Sequence, residues 1–202
     1  MDSHYNRSKP ITFFSSFIAL FVSILLVSSN PNIAFAQQSG TSTIGGKFIM
    51  QDQTGSIVMD EKYRETFMLI SFGYTTCPDI CPTALSNIST AMDELGDDSK
   101  TVTPIFITID PKRDTVSKIR DYVSAFHPRM VGLTGSQTMT DRLIISYNLK
   151  VEIHKPEDND PMEYAVDHTA STFLMSPDGT FLAKFAYGMD PKAMAERIRD
   201  FM

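Results

Sequence analysis

An α/β fold with a largely parallel central sheet is predicted by three features of the sequence. Two apolar runs, residues 67–72 and 103–109, show little alternation of polar and apolar side chains, the pattern of strands covered on both faces. Each run leads into a segment that reads as a helix, at 83–95 and 115–126. Strands that alternate with helices imply a central sheet that is parallel at its core. With 202 residues, a single domain is the natural expectation.

The first 36 residues stand apart. Arg7 and Lys9 precede residues 11–27, which are apolar except for one threonine and three serines, and Ala34-Phe35-Ala36 follows a short polar stretch. A positive start, an apolar stretch and an A-x-A tripeptide describe a secretory signal cut after Ala36. Seventeen residues is the short end of what spans a bilayer, so an uncleaved membrane anchor is the alternative. Either way the body, residues 45–202, is expected outside the cytoplasm, in the periplasm, after a small polar linker at 37–44. The formal charge of −6, with no basic cluster, argues against nucleic acid as a partner.

The body begins with a hairpin signal. Residues 47–50 and 56–58 flank a turn in which Gly55 is free to take positive φ. The strand at 67–72 follows. Leu85, Ile88, Met92 and Leu95 recur at spacings of three and four, giving a helix over 83–95 that Gly96 ends. After the strand at 103–109, Asp110 to Asp114 turn the chain, and Asp114 is a candidate cap for the helix at 115–126. A short strand at 131–134, a helix at 137–147 and a short strand at 151–153 come next. Residues 155–162 are polar, contain two prolines and read as an exposed loop. Residues 166–169 lead into a strand at 171–175, which turns through Ser176-Pro177-Asp178-Gly179 into a strand at 181–187. A helix over 191–202 starts at Pro191, with Met194 and Ile198 facing inward.

Both cysteines of the chain lie in one turn, Gly73-Tyr74-Thr75-Thr76-Cys77-Pro78-Asp79-Ile80-Cys81-Pro82, between the first core strand and its helix. A helix starting near Pro78 puts Cys77 at its N-terminus, where free N–H groups and the dipole favour a thiolate. Cys81 follows one turn later on the same face. Cβ atoms at that spacing are about 5–6 Å apart, long for a relaxed disulfide but suited to two sulfurs on one ion. A small unwinding would permit the disulfide. A C-x-x-x-C loop is too small to stabilise much by chain entropy, so a working dithiol is favoured over a structural bridge.

Strand, helix, strand, helix, hairpin, helix is the thioredoxin order, here with an added N-terminal β-hairpin and a middle insertion. In that fold the cysteine turn lies at the carboxyl end of a central strand, where open α/β sheets place their sites. Of the four histidines, His168 immediately precedes a core strand, and in this arrangement that loop packs beside Cys77 and Cys81. Thioredoxin-type reductases usually have C-x-x-C and a proline in this loop; this chain has C-x-x-x-C and no proline between Val166 and Ser171. Two thiolates and one imidazole form a soft donor set that favours copper, Cu(I) included, with Cu(II) accommodated by an added water or carboxylate. A structural zinc site would normally supply four protein ligands.

These residues resemble the Sco/SenC copper-binding proteins. The matching stretches are residues 72–82, Ile107-Thr108-Ile109-Asp110-Pro111-Lys112-Arg113-Asp114-Thr115, Ala125-Phe126-His127-Pro128-Arg129, Gly132-Leu133-Thr134-Gly135, Val166-Asp167-His168-Thr169 and Met175-Ser176-Pro177-Asp178-Gly179. The resemblance runs from about Ile44 to the C-terminus. It implies one copper held by Cys77, Cys81 and His168. It also implies delivery to the dinuclear copper site of cytochrome c oxidase subunit II or to another copper protein. The alternative it leaves is thiol-disulfide exchange by Cys77 and Cys81, with a thiol-reducing partner, that keeps the recipient's cysteines reduced. Asp110 and Asp114 match an acidic turn and are expected to lie outside the metal site.

Overall fold

The computed structural model describes residues 44–155 and 164–202. The expected signal or anchor, the linker up to residue 43 and most of the polar loop at 155–162 lie outside the described residues. Among the described residues no helix is long and apolar enough to cross a membrane.

The elements, in chain order, are β1 (Ile49–Asp52), β2 (Ile57–Met59), β3 (Phe67–Gly73), α1 (Ile80–Leu95), β4 (Val102–Thr108), α2 (Val116–Val123), β5 (Val131–Thr134), α3 (Gln137–Ser146), β6 (Val151–His154), β7 (Ala165–His168), β8 (Thr172–Met175), β9 (Phe181–Phe185) and α4 (Pro191–Arg199). Two 3₁₀ segments, Asp60–Tyr63 and Gly96–Thr101, tighten connections that sequence periodicity does not reveal. Seven strands form one sheet in the order β2-β1-β5-β4-β3-β8-β9, and β6 pairs with β7 in a separate two-stranded sheet. β3 runs parallel to β4 and antiparallel to β8, and β8 runs antiparallel to β9. That four-strand core, with α1, α2 and α4, is the thioredoxin-like unit. β1 and β2 are the added hairpin at the far edge, with Gly55 at a φ of 87° in its turn. β5, α3, β6 and β7 are the middle insertion.

β3 shows why the sequence lacks alternation here. Met68, Ile70 and Phe72 pack on one face of the sheet with Phe48, Met50, Ile105, Leu133, Leu143 and Phe173. Leu69 packs on the other with Phe106 of β4 and with Leu85, Ile88, Met92, Ile119 and Ile198 from α1, α2 and α4. Leu69 and Ile70 are fully buried. Each such side chain contributes about 1.5–3 kcal/mol relative to exposure. The sheet thereby fixes the end of β3, and with it the loop that carries Cys77.

Three local expectations are corrected. α1 starts at Ile80, not at residue 83 or near Pro78, with Asp79 at its N-cap, so Cys81 lies in the first turn and Cys77 in the loop two residues before the cap. α2 is shorter than expected, and its cap is Thr115, whose hydroxyl accepts from the Lys118 amide at 3.4 Å. Asp114 has other partners, described below. Residues 165–168 are not a lead-in to β8 but a strand of their own, paired with β6 in the register Val151–His168 through His154–Ala165.

Candidate metal centre

Between β3 and α1 the chain makes a tight turn, closed by the Cys77 amide donating to the Tyr74 carbonyl at 3.2 Å. Helix starts leave backbone N–H groups without helical partners. One of these, on Cys81, donates to Cys77 Sγ at 3.4 Å. Cys81 is buried, Cys77 is half-buried, and both are free thiols. Burial, and then the adjacent Cys77, push the Cys81 thiol well above its ordinary range. Gly73 is required immediately beneath. A Cβ there would stand 2.8 Å from Cys81 Sγ and 2.9 Å from the Phe106 ring, so any larger residue would displace the sulfur.

His168 closes the other side. Its Nε2 lies 3.5 Å from Cys81 Sγ. Its Nδ1 lies 3.1 Å from the Thr169 carbonyl oxygen. A carbonyl only accepts, so Nδ1 carries the proton and Nε2 presents its lone pair toward the sulfur. Burial lowers the His168 pKa below its ordinary value, which keeps the ring neutral at pH 7. Thr169 is itself fixed: its amide donates to the Lys150 carbonyl at 3.0 Å, and its hydroxyl accepts from the Lys150 amide at 2.9 Å. The Tyr74 ring meets the His168 ring edge-on, with centroids 6.2 Å apart.

A cleft of about 460 Å³ opens onto this group, lined by Tyr74, Cys77, Pro78, Ile80, Val166 and His168 among others. Cys77 and His168 both face it, while Cys81 lies behind them. A larger hollow between β9 and α4, about 650 Å³, holds neither a cysteine nor a histidine and bears no relation to this chemistry.

The structure thus brings Cys81 and His168 into contact, with Cys77 in the loop before α1, its Sγ 3.4 Å from the Cys81 amide and facing the same cleft as His168. Two donors on one ion, at about 2.3 Å for sulfur and 2.0–2.1 Å for nitrogen, can stand no more than about 4.4 Å apart. The observed 3.5 Å satisfies that limit. Among the described residues no three Cys, His, Asp or Glu side chains are already gathered at metal-holding distance, so a three-donor set closes only when Cys77 joins the pair. The other described histidines are engaged elsewhere. His127 accepts from the Arg129 amide at 3.1 Å, and His154 pairs with Asp167 at 2.9 Å.

Asp114 is the residue whose role sequence reasoning missed. It is fully buried. Its carboxyl oxygens accept from the Thr75 amide at 3.0 Å, the Thr75 hydroxyl at 2.6 Å and the Thr108 hydroxyl at 2.6 Å. It therefore pins the cysteine loop to the end of β4. An aspartate just before a helix looks like a cap, and the only local hint otherwise was Thr115, an equally good cap one residue later.

Comparison with known proteins adds to this geometry. The family model described as SCO1/SenC matches residues 36–202. A SCO2-like protein of Rickettsia conorii is 38% identical over 161 residues, covering 78% of this chain and 76% of that one. The structure of Bradyrhizobium japonicum ScoI with copper bound superposes with a TM-score of 0.72 at 37% identity, covering 79% of this chain and 99% of the other. A more distant structure, 21% identical with a TM-score of 0.60 over 78% of this chain and 92% of the other, shares the fold; that protein carries a disulfide switch and is described as a member of the Sco family of cytochrome c oxidase assembly proteins.

Proposed function

The chain belongs to the SCO1/SenC family, and we propose that it is a periplasmic metallochaperone carrying one copper ion on Cys77, Cys81 and His168. Its cargo would supply the dinuclear copper site of cytochrome c oxidase subunit II. The observation that carries this reading is the contact between Cys81 Sγ and an imidazole nitrogen whose lone pair is turned to it by the Thr169 carbonyl. In copper-free protein the Cys81 S–H occupies that gap, and bound copper takes the place of its proton. Thiolates and an imidazole suit a soft cation such as Cu(I). The copper-bound ScoI at 37% identity supports the choice of metal. Export is supported by Arg7, Lys9, the apolar residues 11–27 and the Ala34-Phe35-Ala36 site, with the family match beginning at residue 36.

A thiol-reductase role is favoured by a second observation. Cys77 is half-exposed at a helix start with Cys81 buried behind it, the arrangement of an attacking and a resolving sulfur. One experiment separates the two. Copper-loaded protein is mixed with the copper-free, pre-reduced soluble domain of subunit II. Metal transfer to a reduced target supports delivery. If instead the copper-free dithiol protein is needed only to reduce an oxidised target, and free copper then suffices, delivery is rejected.

Copper uptake is expected to depend on pH with a defined sign. Because Cys81 is protonated at pH 7, binding releases its proton, so affinity rises with pH. His168 is neutral above its lowered pKa and adds no further proton between pH 7 and 8. The slope of log affinity against pH in that window is therefore the same in wild type and in His168→Ala, and a competing chelator titrated at several pH values reads it.

A further inference from the structure

The hairpin that carries His168 is not part of the main sheet, and most of β6 is exposed. At the His168 end, Thr169 and Lys150 close the pairing between its own two strands. At the opposite end, by Tyr164, the attachment to the body runs through Arg113, in the loop after β4. Arg113 is 7% exposed, and its guanidinium lies 3.6 Å from the centre of the Tyr164 ring and 5.4 Å from that of Tyr74. Its Nη1 donates to the Tyr164 carbonyl at 2.8 Å, and its Nε donates to Asp110. The other Asp110 oxygen accepts from the Tyr164 hydroxyl at 2.7 Å. Tyr74 adds a further tie, its hydroxyl accepting from the Val166 amide at 3.4 Å.

One planar cation therefore meets three segments: the start of the cysteine loop at Tyr74, the turn after β4 at Asp110, and the entry to β7 at Tyr164, four residues before His168. We infer that Arg113 is a positioning residue for His168, a clamp that holds the imidazole against the cysteine loop without touching the metal. The inference rests on the copper reading given above. A buried ion pair that merely fills the body is the bland alternative. Against it stands the set of partners: besides the ion pair with Asp110 in its own turn, Arg113 donates to the Tyr164 carbonyl and Asp110 accepts from the Tyr164 hydroxyl, so both charged groups reach the entry to β7. A guanidinium is also the group suited to the task, since its fork and its flat face act at once, which an ammonium cannot do.

The test is a double-mutant cycle on the full-length, reduced protein, with Cu(I) affinity read by competition with a chromophoric chelator. Arg113→Gln is expected to weaken binding about tenfold, the scale on which partners of a metal-ligating histidine act. In the His168→Ala background the same change is expected to cost nothing further, because the clamp acts only through the imidazole. Tyr164→Ala, at a half-buried site, is expected to behave in the same way and serves if Arg113→Gln fails to fold. Equal losses in both backgrounds, or no loss in either, overturn the proposal. If His168→Ala alone leaves affinity unchanged, it is the ligand set that falls, a different result from failure of the clamp. The nitrogen hyperfine coupling of the Cu(II) form gives a second readout, expected to shift in Arg113→Gln and to recover partly in Arg113→Lys.

Discussion

His168→Ala is expected to lower copper affinity by more than about 100-fold, because groups that only orient a metal-ligating histidine already account for roughly 10–100-fold. The variant should still fold. His168 is half-buried at the end of β7, and its hydrogen bonds within the protein are to the Thr169 carbonyl and the Cys81 thiol. Losing such bonds costs about 1 kcal/mol each. Chelator competition on reduced protein measures the affinity, and a thermal melt confirms the fold. An unchanged affinity with an unchanged metal spectrum would remove the imidazole from the ligand set and leave two sulfurs as a dithiol site. The size of the effect follows from the neutrality of the ring. Nε2 binds metal with no proton to expel, so wild type gains the full value of the nitrogen ligand at pH 7.

What could be read from the sequence, and what could not, divides by the range of the interactions. β3 and β4 are legible because both faces of each are covered, which leaves apolar runs such as Leu69-Ile70 and Ile105-Phe106-Ile107. The contact of His168 with the cysteine turn was deducible from the order of strands and helices alone. The β6–β7 pairing was not, since β6 is mostly exposed and lacks alternation, and β7 is four residues long with one buried side chain, Val166. The bonds that shape the site were hidden for a different reason. Asp114 meets Thr75 at a separation of 39 residues, and Arg113 meets Tyr164 at 51. No local pattern records such pairs. Asp114 in addition stands where a cap is common, so local reasoning had a ready and incorrect explanation for it.

Asp114→Ala is expected to show the opposite balance, with a large loss of stability and a smaller loss of copper affinity. The change removes one acceptor group from an amide and two hydroxyls, the Thr108 hydroxyl buried and the two Thr75 groups half-buried. The hydroxyls of Thr75 and Thr108 can rotate toward other acceptors, but the Thr75 amide cannot. Leaving the Thr75 amide without an acceptor costs about 1–3 kcal/mol. For a domain of this size that corresponds to a fall in melting temperature of roughly 5 °C. Asp114→Asn keeps one oxygen in place and should lose less, which separates hydrogen bonding from mere filling of space. Thr75 lies two residues before Cys77, so release of the loop loosens one donor while all three remain in the chain. Copper affinity should accordingly fall by less in Asp114→Ala than in His168→Ala, and saturating copper should restore part of the lost melting temperature by mass action. Calorimetry of both variants with and without metal reads the two effects together. A variant that melts with wild type, or one that loses copper as completely as His168→Ala, would show that the cysteine loop is not held by this carboxyl group in the way its three bonds require.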